Sequence, residues 1–224
     1  MDLAERIAAF QRFCGPDLTR TVAGLEAALQ GATADDLQSL LGGTEATDDA
    51  IAGAGELKRI AGQLYVAIHA LGILLCLPHL LEPGETVEYV SLGAGNTGRA
   101  FDLETDRRIA EFKFVRWRGG SESIRQNALF KDFFLLAEHP TPKRKYIYVL
   151  ETERPLKFLN GGRALRSVLK DAPLAATFRE KYGDRYERVR DYFQPRRESV
   201  TIQDISGLLP GLSGLPVVEE EPPD

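Results

Sequence analysis

The chain is poor in the residues that most often advertise chemistry. Its 224 residues include two cysteines, three histidines, one methionine and one tryptophan. Cys14 and Cys76 stand far apart in apolar helical contexts, which excludes a disulfide framework and a zinc spacing. His69, His79 and His139 have no ligand spacing, and no Ser/His/Asp nucleophile constellation is visible. No basic segment precedes an apolar stretch at the start, so no secretory signal is read and a reducing cytoplasm is the expected compartment. The glycine-rich loop from Gly93 to Gly98 is not followed by Gly-Lys-Ser/Thr, and a strand rather than a helix comes next. That excludes a Walker loop and a dinucleotide turn. Helix-turn-helix, zinc-finger and internal-repeat patterns are missing as well.

What is present is ordinary globular composition, 43% hydrophobic and 27% charged, with an uneven distribution of charge. The net charge is −5. Residues 1–106 carry −10, residues 107–145 carry +6 and residues 146–224 carry −1. A basic segment inside an acidic protein can mark a polyanion-facing surface, or a solvated face balanced elsewhere in the fold.

Hydrophobic periodicity predicts amphipathic helices over 2–14 and 16–31, with Pro16 in the first turn of the second, and a short helix over 34–41. A long helix follows from Asp48 to Leu77, stopped or kinked at Pro78. Residues 60–81 hold no Asp, Glu, Lys or Arg. That is long enough to span a bilayer. Gln63, His69, Pro78, His79 and the acidic flanks argue instead for a central helix buried on all sides, with no membrane partner. Beyond Pro83 the period changes to two, predicting strands at 87–92, 100–104 and 108–115. Ser123 opens a helix to Glu138, with Gln126 completing a capping box. A strand at 145–151, helices at 154–169 and 173–193 and a strand at 199–205 complete the order. The expected organisation is a helical extension at 1–47, an α/β core at 48–151, helices with an extra strand at 152–215, and a loose acidic tail at 216–224.

The chemistry lies in the hairpin from Phe101 to Phe114. Strand side chains alternate faces, so Phe101 and Leu103 are expected on one face and Asp102 and Glu104 on the other. In the next strand Ala110, Phe112 and Phe114 take the apolar face, and Ile109, Glu111 and Lys113 the opposite one. A tight turn at Asp106-Arg107 pairs positions whose numbers sum to 213, which sets Asp102 opposite Glu111. Two facing carboxylates repel unless something sits between them. A hard divalent cation is the natural occupant, since Mg²⁺ takes one or two carboxylates plus water and substrate phosphate. Lys113 follows on the same face, about 6.5 Å along, where an ammonium can neutralise charge developing on phosphate. An ordinary amphipathic hairpin with its polar face in water has the same alternation.

Asp102, followed nine residues later by Glu111-Phe112-Lys113 on two adjacent strands, resembles the PD-(D/E)XK, or restriction-endonuclease-like, nuclease superfamily. The predicted order of helix, three strands, helix and strand over 48–151 is similar to that family's core. The resemblance implies an α/β fold with a mixed central sheet and Mg²⁺-dependent cleavage, with Mn²⁺ as a substitute, of DNA or less often RNA. It implies that Asp102 and Glu111 are metal ligands and Lys113 the catalytic lysine. Phe101 stands where many members have proline. Many members add a glutamate from the first core helix, for which Glu56 is the best match and Glu88 a weaker one. Some use a polar residue of the following helix, for which Arg125 and Gln126 are candidates.

Arg116, Trp117 and Arg118 form a basic–aromatic–basic run suited to gripping phosphates and stacking a base, or to packing at a strand end. Lys143, Arg144 and Lys145 read as solubilising. The expected function is metal-dependent phosphodiester hydrolysis of nucleic acid, by a homodimer or as one subunit of a larger system. A silent nucleic-acid-binding or assembly subunit, and a protein-interaction domain with an acidic half, are the alternatives.

Overall fold

The computed structural model describes residues 2–33, 36–37, 42–93, 100–117 and 122–213. Most of the expected helix at 34–41, most of the Gly93–Gly98 loop and the acidic tail lie outside these residues, as does Arg118; residues 36–37 are helical. Two compact units divide the chain between Tyr65 and Val66.

In the first unit, Asp2 caps helix α1 (Leu3–Cys14) with a full capping box to Glu5. Gly15 closes the helix at φ 59°, a left-handed backbone that glycine takes without cost. Helix α2 (Leu18–Leu29) starts later than the periodicity suggested, because the Asp17 side chain accepts from the Arg20 N–H and leaves Pro16 outside the helix. Helix α3 (Asp48–Leu80) contains Pro78 rather than ending before it. Gly53 in its first half lies against the Arg6 carbonyl and Phe10, where a side chain has no room.

The second unit is a three-layer α/β arrangement around a five-stranded mixed sheet of order β1-β2-β3-β4-β5. Its strands are β1 (Val87–Val90), β2 (Leu103–Thr105), β3 (Arg108–Lys113), β4 (Arg144–Val149) and β5 (Thr201–Asp204). Between β3 and β4 comes helix α4 (Ser123–Glu138). Strands β1, β2 and β3 are antiparallel neighbours, whereas β3, β4 and β5 run parallel. Period-two patterning sorts the central strands onto two cores. Ile109, Ile147 and Val149 face one core with Leu129, Phe130, Phe133 and Phe134 of α4. Ala110, Phe112, Tyr148 and Leu150 face the other, with Ile73 and Cys76 of α3 and with Ile205 and Leu209. Each fully buried phenylalanine contributes about 1.5–3 kcal/mol of transfer free energy.

The helix expected over 154–169 is instead α5 (Glu153–Leu159) and a 3₁₀ turn, Leu165–Ser167. The one expected over 173–193 breaks at Gly183 (φ 56°) into α6 (Ala172–Tyr182) and α7 (Val189–Phe193). Helix α8 (Pro210–Ser213) is last among the described residues. Helices α5, α6 and α7 cover the outer face of α4, which is why α4 buries residues almost all round.

Helix α3 departs most from expectation. Its apolar stretch is not buried on all sides. Ile73 and Cys76 are fully buried, and at Gly72 an added Cβ would come 2.5 Å from the Phe114 ring. Leu71, Leu74 and Leu75 are nonetheless 58%, 50% and 57% exposed. By length and composition alone this helix could cross a membrane, and only 17% of its most apolar window is buried.

Candidate active site

The hairpin register is the expected one: Leu103 pairs with Ala110 and Glu104 with Ile109. Continued one step, it sets Asp102 opposite Glu111. Asp102 itself precedes β2, and its side chain takes over the ladder, with Oδ2 accepting from the Phe112 N–H at 2.9 Å. This insertion breaks the strict alternation. Phe101 therefore joins Ile109 in the α4 core and meets His139 edge-to-face, rather than following Leu103 to the opposite face. The other Asp102 oxygen, Oδ1, lies 3.4 Å from Nε2 of His69 on α3.

Glu111 and Lys113 share the face turned toward α4. The Lys113 ammonium stands 3.3 Å from Glu111 Oε2 and 2.7 Å from Asp132 Oδ2. Asp132 is the site residue that sequence reasoning missed. Its signal was an acid set between Phe130 and Phe133-Phe134, on the buried face of a helix. His69, for which the sequence showed no ligand spacing, faces Asp102 as well.

Three carboxylates around one ammonium cannot all ionise comfortably. Burial pushes the Glu111 carboxyl up to about 8, with the Asp132 and Asp102 carboxylates adding to the rise and Lys113 opposing it. Burial also raises Asp132 against the pull of Lys113. Burial raises Asp102 too, but the neighbouring His69 imidazole, the Phe112 N–H and the Lys113 charge bring it below the usual carboxylate range. Burial works against the Lys113 charge, yet Asp132 and Glu111 hold its pKa above that of an ordinary lysine. Among the described residues no group of three or more His, Cys, Asp or Glu side chains is arranged to hold a metal ion. Asp102 and Glu111 supply two carboxylates, a hard oxygen pair of the kind Mg²⁺ uses when water and substrate phosphate complete its shell.

The remaining candidates are placed differently. Glu56 belongs to the first unit and pairs with Arg59 at 2.9 Å. Glu88 binds Lys143 at 2.6 Å, and Glu104 binds the same ammonium at 2.9 Å. Lys143 is thus a cross-strand tie rather than a solubilising charge, and Arg144 (to Glu82) and Lys145 (to the Ala137 and His139 carbonyls) are also engaged. Gln126 makes no capping box; Glu122 is the cap position, and Gln126 Oε1 accepts from Arg163. Arg125 lies 3.8 Å from Glu122. Trp117 is buried against Phe158, and its carbonyl accepts from Arg154, so it packs and does not offer a stacking face. Arg116 is partly exposed beside it. Cys76 is buried, and burial pushes its thiol up to about 11, the opposite of an activated nucleophile. Compared with protein-family models, curated proteins and solved structures, the chain matches none.

Proposed function

We propose that this protein is a metal-dependent phosphodiesterase acting on nucleic acid, with a restriction-endonuclease-like core built from α3, β1–β4 and α4. One observation carries the proposal: Lys113 is held 3.3 Å from Glu111 and 2.7 Å from Asp132 at the end of β3, and the Asp102 carboxylate is bonded to the backbone of Phe112, the residue between them. The patch lies at the carboxyl end of β3, where the sheet changes from antiparallel to parallel pairing. Open α/β sheets bind ligands outside the carboxyl ends of their strands.

Asp102 and Glu111 would hold Mg²⁺ or Mn²⁺. Their fit to a hard cation rests on oxygen donors alone, and on a Glu111 carboxyl whose displaced pKa a divalent charge would reverse. The bound ion would supply Lewis-acid polarisation of phosphate and a more acidic water. The protein's own residues do the rest. Asp132 fixes the Lys113 stem so that its charge is directed at a phosphate oxygen without reorganisation. The Phe112 N–H and His69 orient the Asp102 carboxylate.

The test is cleavage of single- and double-stranded DNA and RNA with Mg²⁺, Mn²⁺ or EDTA. Metal-dependent cutting is expected, reduced about 10²–10³-fold in Lys113→Ala, the usual cost of losing one charge-stabilising group, and lost in Asp102→Ala. No cutting by folded wild-type protein under any condition overturns the proposal. The 2.7 Å Lys113–Asp132 pair favours one alternative, nucleic-acid binding without turnover, because it satisfies the ammonium before any substrate arrives.

A further inference from the structure

A second feature of the same unit lies outside the hairpin. Residues 154–197 carry twelve Lys/Arg against five Asp/Glu, a net +7 that disappears when the segment is averaged with its acidic neighbours. These residues enclose a cleft of about 790 Å³ between the Leu165–Ser167 turn, α6 and the 183–188 loop. Half-buried Leu169 and Tyr186 form its floor above the buried Leu165 and Phe178, and the exposed Arg166, Arg179 and Arg188 stand on its rim. The three guanidinium groups are exposed and make no ion pair with another described residue, although Asp184 and Glu187 share the rim. The floor is rigid. Arg196 donates to the Tyr186 hydroxyl at 3.2 Å and lies 5.4 Å from its ring centre, and Arg185 lies 5.3 Å from the same ring.

We infer that this cleft is a binding site for single-stranded nucleic acid, with phosphates on the three rim arginines and an unstacked base on the apolar floor. Polyanion binding follows from the unneutralised arginines and the net charge of the segment. A single strand is favoured because only unstacked bases can reach an aromatic floor, and a prefixed platform binds without the cost of ordering itself. The inference rests on the phosphodiesterase reading for the kind of polyanion, not for its charge. One hydrogen bond links the neighbourhood of the cleft to the helix of the candidate active site: Arg163, between the lining residues Gly162 and Ala164, donates to Gln126, which lies on the same helix as Asp132, about 9 Å away at 1.5 Å per residue.

The experiment is fluorescence anisotropy of a labelled oligothymidylate in EDTA, with the matching duplex and polyglutamate as competitors. The variants are Arg166→Gln/Arg179→Gln/Arg188→Gln and Arg179→Gln alone. The triple variant should bind at least about tenfold more weakly, and its salt slope should fall by about two, at about 0.7 per phosphate contact on a single strand. Arg179→Gln alone, on an exposed helix position, should cost about threefold and covers the case in which the triple variant does not fold. Binding by a folded triple variant or by Arg179→Gln that is indistinguishable from wild type overturns the inference. So does tighter binding of the duplex, or equal displacement by polyglutamate, which would identify an acidic polypeptide as the occupant. Strand binding that depends on the arginines, in a protein that never cuts, would uphold the cleft and remove the phosphodiesterase. Cutting with arginine-independent binding would do the reverse.

Discussion

Strand β3 carries a cation at each end, buried Arg108 at its start and half-buried Lys113 at its finish, and the two ends are built on opposite principles. At its start, Arg108 donates to Glu85 twice, at 2.6 and 2.5 Å, and to the Tyr148 hydroxyl at 3.0 Å. The Thr105 hydroxyl and the Glu82 N–H complete the shell of Glu85. Burial alone would raise Glu85, but these donors outweigh it and hold the carboxyl down at about 2. At the strand's end, about 16 Å away at 3.3 Å per residue, Lys113 faces too many acids, and Glu111 is displaced upward to about 8. One end is charge-matched and saturated with hydrogen bonds; the other is charge-mismatched, and burial keeps it so. A matched pair holds structure, whereas a mismatched cluster stores affinity for a further positive charge.

The largest expected effect breaks the matched end. Glu85→Ala should cost about 3–5 kcal/mol in urea denaturation, the price of leaving the Arg108 guanidinium buried without its partner. Glu85→Met with Arg108→Met should recover most of that loss, because burying neither charge removes both desolvation costs. At the mismatched end, Mg²⁺ at about 100 times its Kd should stabilise the wild type by about 2.7 kcal/mol and leave Asp102→Asn unshifted in thermal melts.

A smaller effect sharpens the contrast through pH. A folded pKa raised above the ordinary glutamate value means that the native state keeps a proton the unfolded chain has released. Glu111 therefore contributes stability below about pH 4.5 that is lost as pH rises through about 8. Glu111→Gln should remove up to about 1 kcal/mol per pH unit of slope in that window. Glu85 has the opposite sign: its stability is present above pH 4.5 and lost as pH falls through about 2. Smallest of all, Glu88→Gln should change stability by less than about 1 kcal/mol, since its partner Lys143 keeps Glu104 and Glu88 is half exposed.

The hairpin was legible in the sequence because a two-residue turn and a period of two fix register without reference to the rest of the fold. The same arithmetic failed at Phe101, where a side chain, not a backbone group, accepts the next ladder bond. Asp132 and His69 were not legible. A strand's period says which face a residue takes, but the rotation of a helix docked on that face depends on packing that no local pattern encodes. Helix α3 shows the limit of composition: the absence of charge over 60–81 matches a buried helix, yet only 17% of its most apolar window is buried. The basic segment at 154–197 was hidden for a simpler reason, its averaging with flanking acids.

The Asp102–Phe112 bond has a practical consequence. One carboxylate oxygen is committed to architecture, so any replacement at position 102 that cannot accept a hydrogen bond will loosen the pairing at the start of β2, apart from any effect on the proposed chemistry. The Phe112 amide is also a reporter already installed at the heart of the molecule. Its hydrogen-exchange rate reads how firmly that carboxylate is held, and will register any ion or strand that competes for it, without a label and without turnover.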